Sequence, residues 1–340
     1  MVIFLNILFL VVGMFLLIKG ADLFVSSASE VAKKLKVPAI FIGLTIVAVG
    51  TSLPELSVSI TSAISNSIDM SVGNIVGSNL LNMLAILGIV AIGGKISLGK
   101  SIKKIDFPFL IVITLILALF SLDAFLNGAV SNVLSRTESI ILLLLLSLYL
   151  YILIFNANRT RKRLIRQEIY FKKFEQKDVE NEQPQEKGLK VWQIIVYFVV
   201  GLAAVVFGGE CVSTTAKFLA IQMGMSEALV GLTIVAVGTS LPELVTSVVA
   251  AKKGENDLAL GNVVGSNIMN ISLILGLVGL IAQAPVSSVI LIDLIILSGA
   301  TILFVICCAG KNNIGKKEGI LFILMYLAYI TYAIIRNYCF

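Results

Sequence analysis

The sequence contains no histidine, and charged residues make up only 14% of its 340 positions. The absence of histidine excludes metal sites, general bases and proton relays that depend on an imidazole. Because 58% of the residues are hydrophobic, so few charges cannot cover the surface of a water-soluble protein of this length. The composition therefore predicts a membrane protein.

Cysteine is also scarce, and its four positions indicate no site. Cys211, Cys307, Cys308 and Cys339 lie in or beside apolar segments without the spacing of metal ligands. We interpret them as polarizable residues of a membrane core, and the sequence predicts no cofactor. The net charge of +6 comes from residues in short loops between apolar stretches, so no nucleic-acid partner is predicted.

Long apolar stretches account for most of the chain. About 20 apolar residues span a bilayer, and ten such stretches fit around one polar gap near the middle. The first run, residues 2–18, has no basic leader and no small-residue cleavage site, so it is predicted as a membrane helix and not a signal peptide. The predicted helices cover residues 2–32, 38–65, 70–93, 104–121, 137–156, 191–220, 227–251, 257–281, 287–308 and 318–336.

The distribution of Lys and Arg predicts the orientation. Most of them fall in the segments that follow the first, third, fifth, seventh and ninth predicted helices. The opposite side carries Arg136, Lys217 and Arg336. Because positive charge marks the cytoplasmic side, both termini are predicted to be extracytoplasmic in the plasma membrane.

The sequence also repeats itself. GLTIVAVGTSLPEL occurs at residues 43–56 and again at 231–244, and at the same spacing GNIVGSN (73–79) matches GNVVGSN (261–267). Each half has five predicted helices, so the second half enters the membrane from the opposite side, as in many secondary transporters. We predict an all-α membrane protein of ten transmembrane helices, with repeats at 1–156 and 191–340 and a cytoplasmic charged loop at 157–190. That loop is expected to be either a solvated helix extension or disordered. Gene duplication alone explains the repeat but not the retention of its polar residues.

A proline interrupts the second helix of each repeat. Pro54 and Pro242 each remove a backbone donor and disturb the carbonyls before them, including those of Thr51 and Thr239. At membrane depth a freed carbonyl must be buried in protein or must face water or an ion. The interruption therefore predicts a cation-binding position.

A carboxylate follows each proline, at Glu55 and Glu243. Ionisable residues this deep in a membrane are costly and usually functional. Calcium prefers several carboxylate and carbonyl oxygens, so the two glutamates and the Thr51 and Thr239 carbonyls predict a calcium site. An alternative stays open, because Ser52 to Glu55 also fits a capping box in which the glutamate returns to its own helix.

The third helix of each repeat carries a polar stripe on one face, at intervals of four residues. Its amide and hydroxyl oxygens suit sodium and can complete a calcium shell. The neighbouring glycines Gly73, Gly77, Gly261 and Gly265 also fit close helix packing, which is the simpler explanation for them. The stripe consists of Asn74, Ser78 and Asn82, repeated as Asn262, Ser266 and Asn270.

Other membrane charges are weaker candidates for ion contact. Lys19 with Asp22, and Glu210 in the second half, are interpreted as local pairs. Asp106 and Asp293 are expected near helix starts, where the macrodipole favours an anion.

With these motifs the chain resembles the calcium/cation antiporter superfamily, in particular its prokaryotic sodium/calcium exchangers. GTSLPE and GNxVGSN are similar to that superfamily's two alpha repeats, and the resemblance extends through essentially all ten predicted helices. It implies a fold in which the second, third, seventh and eighth helices hold the ions. The first and sixth helices would slide past that core to alternate access.

The resemblance also implies a ligand set. Calcium ligands would be Glu55 and Glu243 with the Thr51 and Thr239 carbonyls. Asn82 and Asn270 would form the central polar pair. The sodium sites would share both glutamates and add the carbonyls of Ala48 and Ala236 and the side chains of Ser52, Ser240, Ser78 and Ser266.

Two departures from the pattern narrow the activity. Relatives with aspartate at one position of the central pair include potassium-dependent exchangers, whereas this chain has Asn82 and Asn270. The proton/calcium branch typically has carboxylates where this chain has Gly77 and Gly265. These departures argue against potassium dependence and proton coupling. The resemblance then implies an electrogenic sodium/calcium antiporter that extrudes calcium, functions as a monomer and has these two ions and the bilayer as its partners.

The other activities stay open at this point. Proton/calcium and potassium-dependent sodium/calcium antiport are the nearest alternatives. A cation channel also uses carboxylates and carbonyls, but its flux needs no counter-cation. A membrane enzyme is not favoured, because the sequence shows no serine–base, metal–histidine or paired-aspartate arrangement.

Overall fold

A computed structural model of the protein describes residues 2–65, 68–122, 132–175, 190–224 and 236–339. Most of these residues are helical, which agrees with the predicted all-α class. Four short strands lie in the connections between helices. The helices are α1 (Val2–Leu35), α2 (Ala39–Thr51), α3 (Leu53–Ile64), α4 (68–93), α5 (102–120), α6 (Arg136–Glu175), α7 (Val191–Gln222), α8 (Ala236–Thr239), α9 (Leu241–Lys252), α10 (Asn256–Ile281), α11 (Ser288–Ala309) and α12 (Lys316–Cys339).

Membrane-spanning helices account for most of this structure. Among the described residues, seven helices are long and apolar enough to cross a membrane, and the bent pair α2–α3 makes eight. The chain is thus a membrane protein with multiple spans. The described part of the predicted helix at 227–251 begins at Ala236, and residues 227–235 lie outside the described residues. The count of ten spans stays a prediction.

The predicted proline interruptions are confirmed. Helices α2 and α3 meet at Ser52 with a bend of 46°. Pro54 is the second residue of α3, and Pro242 is the second residue of α9. Proline is tolerated there because the first amide groups of a helix have no helical partner. The prolines therefore open a new helical segment and do not lie inside a continuous helix.

Helices α4 and α10 form the centre of the molecule. In an 18-residue apolar stretch of each of these helices, 83% and 78% of the residues are buried. In the corresponding stretches of the other five long helices the buried share is between 17% and 44%. Each central helix contains a π-helical segment, Leu81–Ile86 in α4 and Asn270–Ile274 in α10. Such segments often occur at functional sites. Here they start at or next to Asn82 and Asn270.

Glycines bring α1 and α7 into backbone contact. A methyl group built on Gly208 would lie 2.6 Å from the Leu17 amide nitrogen and 2.8 Å from the Gly13 carbonyl oxygen. A methyl group on Gly201 would lie 3.0 Å from the carbonyl oxygen of Gly20. Gly13 and Gly20 match Gly201 and Gly208 in the repeat, so each glycine meets the non-equivalent glycine of the other helix. Small residues at both sides allow this close approach.

Glycines also join α2 to α10. A methyl group on Gly261 would lie 2.7 Å from the Ile40 carbonyl oxygen and 3.1 Å from the Gly43 Cα. One on Gly265 would lie 2.7 Å from the Leu44 Cα. The packing role considered for the motif glycines therefore holds for Gly261 and Gly265. It places the polar stripe of α10 against the broken helix of the first repeat.

Two antiparallel strand pairs connect the repeats. Strand β1 (Ile96–Ser97) pairs with β4 (Asn313–Ile314), and β2 (Asn132–Leu134) pairs with β3 (Ala284–Val286). Each pair joins one strand from the first half of the chain to one from the second half. The connections therefore hold the halves together independently of the covalent link.

This pairing predicts a specific cross-link. Ser97 and Asn313 are register partners, and both side chains are exposed. Directly opposed antiparallel residues have Cα atoms about 4.5–5.5 Å apart, within the range of a disulfide. In a chain without its native cysteines, we expect Ser97→Cys with Asn313→Cys to form a disulfide.

The cross-link is detected after cleavage at a protease site inserted between the halves, since the fragments should stay joined until reductant is added. The matched control is Lys100→Cys with Asn313→Cys, in which the first cysteine lies outside β1 and is not the register partner of residue 313. Equal cross-linking of both pairs would contradict the register.

Helix α6 continues beyond the predicted span. Its 40 residues extend from Arg136 to Glu175, whereas the predicted span ended at residue 156. At 1.5 Å per residue the helix is about 60 Å long, roughly twice a hydrocarbon core. The first part of the predicted charged loop is therefore a helical extension, and residues 176–189 lie outside the described residues.

Candidate cation-binding site

The site is built around two buried glutamates at the breaks described above. Glu55 lies in the first turn of α3 and Glu243 in the first turn of α9. Both side chains are completely buried. The local reason is the same in both halves, because Ser52 and Ser240 leave helical geometry and each glutamate is the third residue of the segment that follows.

Each carboxylate accepts a hydrogen bond from a serine of the other repeat. The Ser240 hydroxyl lies 2.8 Å from Glu55 Oε1, and the Ser52 hydroxyl lies 2.9 Å from Glu243 Oε1. These are equivalent contacts, since Ser52 matches Ser240 and Glu55 matches Glu243. The two predicted motifs therefore meet at one place and complete each other.

The second predicted motif contributes a further serine to each carboxylate. Ser78 Oγ lies 3.4 Å from Glu55 Oε1, and Ser266 Oγ lies 3.4 Å from Glu243 Oε1. Ser78 and Ser240 are 3.0 Å apart. All four site serines are at most 3% exposed. The structure thus brings Ser52, Ser78, Ser240 and Ser266 to the two glutamates, as the resemblance implied.

The capping-box interpretation of Ser52 and Glu55 is wrong. The Ser52 side chain makes no capping hydrogen bond to α3, and its hydroxyl donates to Glu243 instead. The Glu55 carboxylate accepts from Ser240 and Ser78, and the Ser52 amide, which a capping box would direct to Glu55, donates to the Ala48 carbonyl. Both residues therefore face the other repeat.

Four oxygen atoms in this region are left with unused acceptor capacity. Glu55 Oε2, Glu243 Oε2, Asn82 Oδ1 and Asn270 Oδ1 are buried and have no hydrogen-bond partner in the part of the chain that the structure describes. Unpaired buried acceptors are costly, whereas a hard cation satisfies them. The described residues contain no group of three or more His, Cys, Asp or Glu side chains placed so that they could hold a metal ion. A cation here would therefore be held by two carboxylates and by neutral oxygens.

The threonines that precede the breaks join the same network. The Thr51 hydroxyl lies 3.0 Å from Asn262 Oδ1, and the Thr239 hydroxyl lies 3.4 Å from Asn74 Oδ1. The Ala48 carbonyl accepts the Ser52 amide at 3.1 Å. Ala236 is the first residue of α8. The Thr51 and Thr239 side chains thus belong to the network, and the role of the Thr51, Thr239, Ala48 and Ala236 carbonyls as ligands stays a prediction.

Two further asparagines in this network were missed by sequence reasoning. Asn79 donates from Nδ2 to the Asn267 carbonyl at 3.2 Å, and Asn267 donates to the Asn79 carbonyl at 3.3 Å. Both are at most 2% exposed. They connect α4 to α10 directly. The available signal was their presence in GNxVGSN of both repeats.

The weaker candidates lie outside this network. Asp22 pairs with Lys253 at 2.7 Å, so the proposed pairing with Lys19 is wrong, whereas Glu210 accepts locally from Thr214. Asp106 accepts from Tyr149 at 2.8 Å, and Asp293 binds Arg336 through two contacts of 2.8 and 3.0 Å. Both aspartates lie near helix starts, as predicted, since Asp106 directly precedes the Phe107–Phe120 segment and Asp293 is the sixth residue of α11. A side chain of the following helix holds each of them.

The sequence matches a known family over nearly its whole length. The family described as sodium/calcium exchanger protein matches residues 5–155 and 193–335. The sodium/calcium exchanger MaX1 of Methanosarcina acetivorans is 35% identical over 352 residues, which cover 96% of this chain and 97% of that protein. The putative antiporter CaxA of Alkalimonas amylolytica is 35% identical over 330 residues, with 95% and 96% covered.

The fold gives the same result. A solved structure of the sodium-calcium exchanger NCX_Mj superposes with a TM-score of 0.79 at 29% identity, covering 97% of this chain and 99% of that one. These relatives are transporters, so the prediction that the chain is not an enzyme is confirmed. The resemblance of its paired motifs is confirmed as well. The chain belongs to the sodium/calcium exchanger family and is a cation/calcium antiporter of the membrane.

Proposed function

We propose that this antiporter exchanges sodium for calcium at the Glu55–Glu243 site by alternating access. The observation that carries the proposal is the symmetric pair of buried carboxylates. In each, a serine of the other repeat holds one oxygen, and the second oxygen has no hydrogen-bond partner among the described residues. Two carboxylates neutralise one calcium ion, and the unpaired oxygens supply its first ligands.

Charge balance makes the exchange obligatory. With both glutamates ionised, an empty site carries two uncompensated charges in the low-dielectric core of the protein, and moving them across is costly. One calcium ion or at least two sodium ions remove that cost. Because both cations use oxygens of Glu55 and Glu243, they exclude each other. A loaded site can therefore change its access, whereas an empty one cannot.

The neutral oxygens favour sodium as the counter-ion. Ser52, Ser78, Ser240 and Ser266 place four hydroxyl oxygens around the two carboxylates. Hydroxyl and carbonyl oxygens suit a hard monovalent cation, as in the broken helices of other transporters. Sodium in excess of the calcium charge makes the exchange electrogenic, and an inward sodium gradient then extrudes calcium.

The carboxylate that the proton/calcium branch carries at the position of Gly265 does not fit into this fold. The Leu44 Cα and the Ala48 Cβ lie 2.7 and 2.8 Å from a methyl group built on Gly265. A carboxylate side chain there would displace the α2 backbone. The site's charge therefore comes from Glu55 and Glu243, and the asparagines of the central pair add none.

The arrangement in the membrane completes the proposal. Ten helices in two inverted repeats would place both termini on the extracytoplasmic side of the plasma membrane. Contacts between the repeats supply both halves of the site within one chain, so a monomer suffices. An epitope at either terminus should then be accessible in intact cells.

The main test measures calcium-45 uptake into proteoliposomes loaded with sodium, potassium or protons and diluted into medium lacking that ion. We expect uptake only with the sodium gradient, and faster uptake when the interior is made positive, because exit of excess sodium carries positive charge outward. Uptake driven by potassium or protons would assign a different coupling ion. Calcium entry without any counter-gradient would contradict exchange.

A further inference from the structure

The strongest unexplained feature is an asymmetry among four buried asparagines between α4 and α10. We call Asn79, Asn82, Asn267 and Asn270 the asparagine quartet. In the repeat Asn79 matches Asn267, and Asn82 matches Asn270. The four side chains are at most 2% exposed. Two-fold related residues should make equivalent contacts unless the protein occupies one of two unequal states.

One arm of the quartet is the same in both halves. Asn79 donates to the Asn267 carbonyl at 3.2 Å, and Asn267 donates to the Asn79 carbonyl at 3.3 Å. This reciprocal pair fixes α4 against α10 at the point where each helix enters its π-helical segment. Because these two bonds are equivalent in the repeat, both can stay unchanged when the protein passes between two symmetric states.

The other arm exists on one side only. Asn270 Nδ2 donates to Asn79 Oδ1 at 3.1 Å. The equivalent bond would connect Asn82 Nδ2 to Asn267 Oδ1. Both of these atoms are buried without any hydrogen-bond partner among the described residues. The donor and the acceptor that correspond to the bonded Asn270–Asn79 pair are thus both without a partner in the other half.

A second pair of contacts shows the same asymmetry independently. Asn262 Nδ2 donates to Ser247 Oγ at 3.0 Å. The equivalent atoms, Asn74 Nδ2 and Ser59 Oγ, are both buried and unpartnered among the described residues. In the second repeat this donor and acceptor are bonded to each other, whereas in the first repeat the equivalent donor and acceptor are both without a partner. Chance loss of single contacts would not leave matched pairs twice.

We propose that the asparagine quartet is a two-position switch that positions the central pair of the ion site. In the state described here Asn270 is held by Asn79. In the opposite access state Asn82 is held by Asn267, and the Asn270–Asn79 bond is released. Asn79 and Asn267 are therefore positioning residues, because they act on the cation through Asn270 and Asn82.

The switch rests on the proposed alternating access and adds a mechanism to it. In each state one amide of the central pair is fixed, and the other is free to turn its oxygen toward a cation. The two states differ by exchange of one hydrogen bond for its equivalent. Their energies therefore stay close, as a transporter that visits both states requires.

The matched variants are Asn79→Leu and Asn267→Leu. Each variant removes one of the two reciprocal bonds between Asn79 and Asn267, and these bonds are equivalent in the repeat, so this loss is the same in both variants. They differ in the switching arm, since Asn79→Leu removes the bond of the described state and Asn267→Leu removes that of the opposite state. A bond of this kind changes a population roughly 2- to 10-fold. The two variants should therefore bias access in opposite directions.

The readout is the apparent KM for calcium at each membrane face, measured in right-side-out and inverted vesicles. A bias in access lowers the apparent KM at one face and raises it at the other. We expect the ratio of the two values to move in opposite directions in the two variants, by roughly 2- to 10-fold each. Loss of packing alone would move both ratios alike.

The assay uses calcium–calcium exchange, which needs no sodium, so a failure of sodium coupling leaves the switch testable. If either leucine variant does not reach the membrane, Asn79→Ser and Asn267→Ser give the same comparison, because the hydroxyl is too short to bridge. Opposite shifts support the switch. Shifts in the same direction, or two ratios equal to that of the unmodified protein, would overturn it.

Discussion

Glu55→Gln and Glu243→Gln should each reduce calcium exchange by roughly 100-fold or more. The amide keeps the size of the side chain and an oxygen for Ser240 or Ser52, so only the charge changes. A calcium ion with one remaining carboxylate leaves a net positive charge in the membrane core. That charge costs about 2.5–3.5 kcal/mol, which corresponds to the expected loss. Calcium-45 exchange in proteoliposomes measures it.

The matched control is Asp106→Asn, another buried carboxylate, which is bonded to Tyr149 and outside the site. Its amide oxygen can still accept the tyrosine hydroxyl. We expect exchange within about 3-fold of the unmodified protein, the ordinary effect of losing part of one hydrogen bond. Near-complete retention in either glutamine variant would exclude these glutamates as the shared ligands.

Gly261→Val should prevent stable packing of α10 on α2. The first added carbon would already lie 2.7 Å from the Ile40 carbonyl oxygen and 3.0 Å from the Leu44 amide nitrogen, and both atoms belong to the backbone. Overpacking of this kind costs typically about 1–3 kcal/mol, and a rigid backbone neighbour places it at the upper end. We expect a lower melting temperature in detergent and a loss of calcium exchange.

Gly299→Val provides the comparison within the same chain. Gly299 lies on an exposed face of α11, and a methyl group there meets nothing within 4 Å among the described residues. Its melting temperature and exchange rate should match those of the unmodified protein. Equal damage from both valines would mean that glycine is needed for a reason other than the α2–α10 contact.

The positions of the two carboxylates were predictable from the sequence because the local rules and the repeat agree. Proline fixes where the helix breaks, and the glutamate that follows must then lie at the break. The hydrogen-bond partners of these carboxylates were harder to predict from the sequence. Nothing in Ser52 by itself distinguishes a cap for α3 from a donor to Glu243, and the choice depends on how the two repeats meet.

Asn79 and Asn267 were missed for a geometric reason. An interval of four residues along an ordinary α-helix places Asn74, Ser78 and Asn82 on one face and Asn79 to the side of it. Asn79 meets Asn267 and Asn270 across the contact between α4 and α10. Which flank of α4 faces α10 depends on how the two helices pack, and the helical period does not predict it.

Some features have no local signature at all. The pairing of β1 with β4 joins residues more than 200 positions apart, and no short motif encodes it. The extension of α6 to Glu175 was one of the two states expected for the charged segment, because its composition does not distinguish a solvated helix from disorder. Tertiary contacts and continuity of the helix decide both.

The glycine contacts between α1 and α7 have a mechanical consequence. Because Gly208 meets Gly13 and Gly201 meets Gly20 backbone to backbone, the two helices pack with no side chain between them at either point. Shifting one helix along the other would bring larger side chains into these contacts, so we expect the two helices to move together. The two helices therefore behave as a single beam. In the proposed alternating-access cycle, a displacement of this pair that uncovers the site toward one compartment would cover it toward the other. A site open to both compartments at once would then be prevented by the shape of the pair itself.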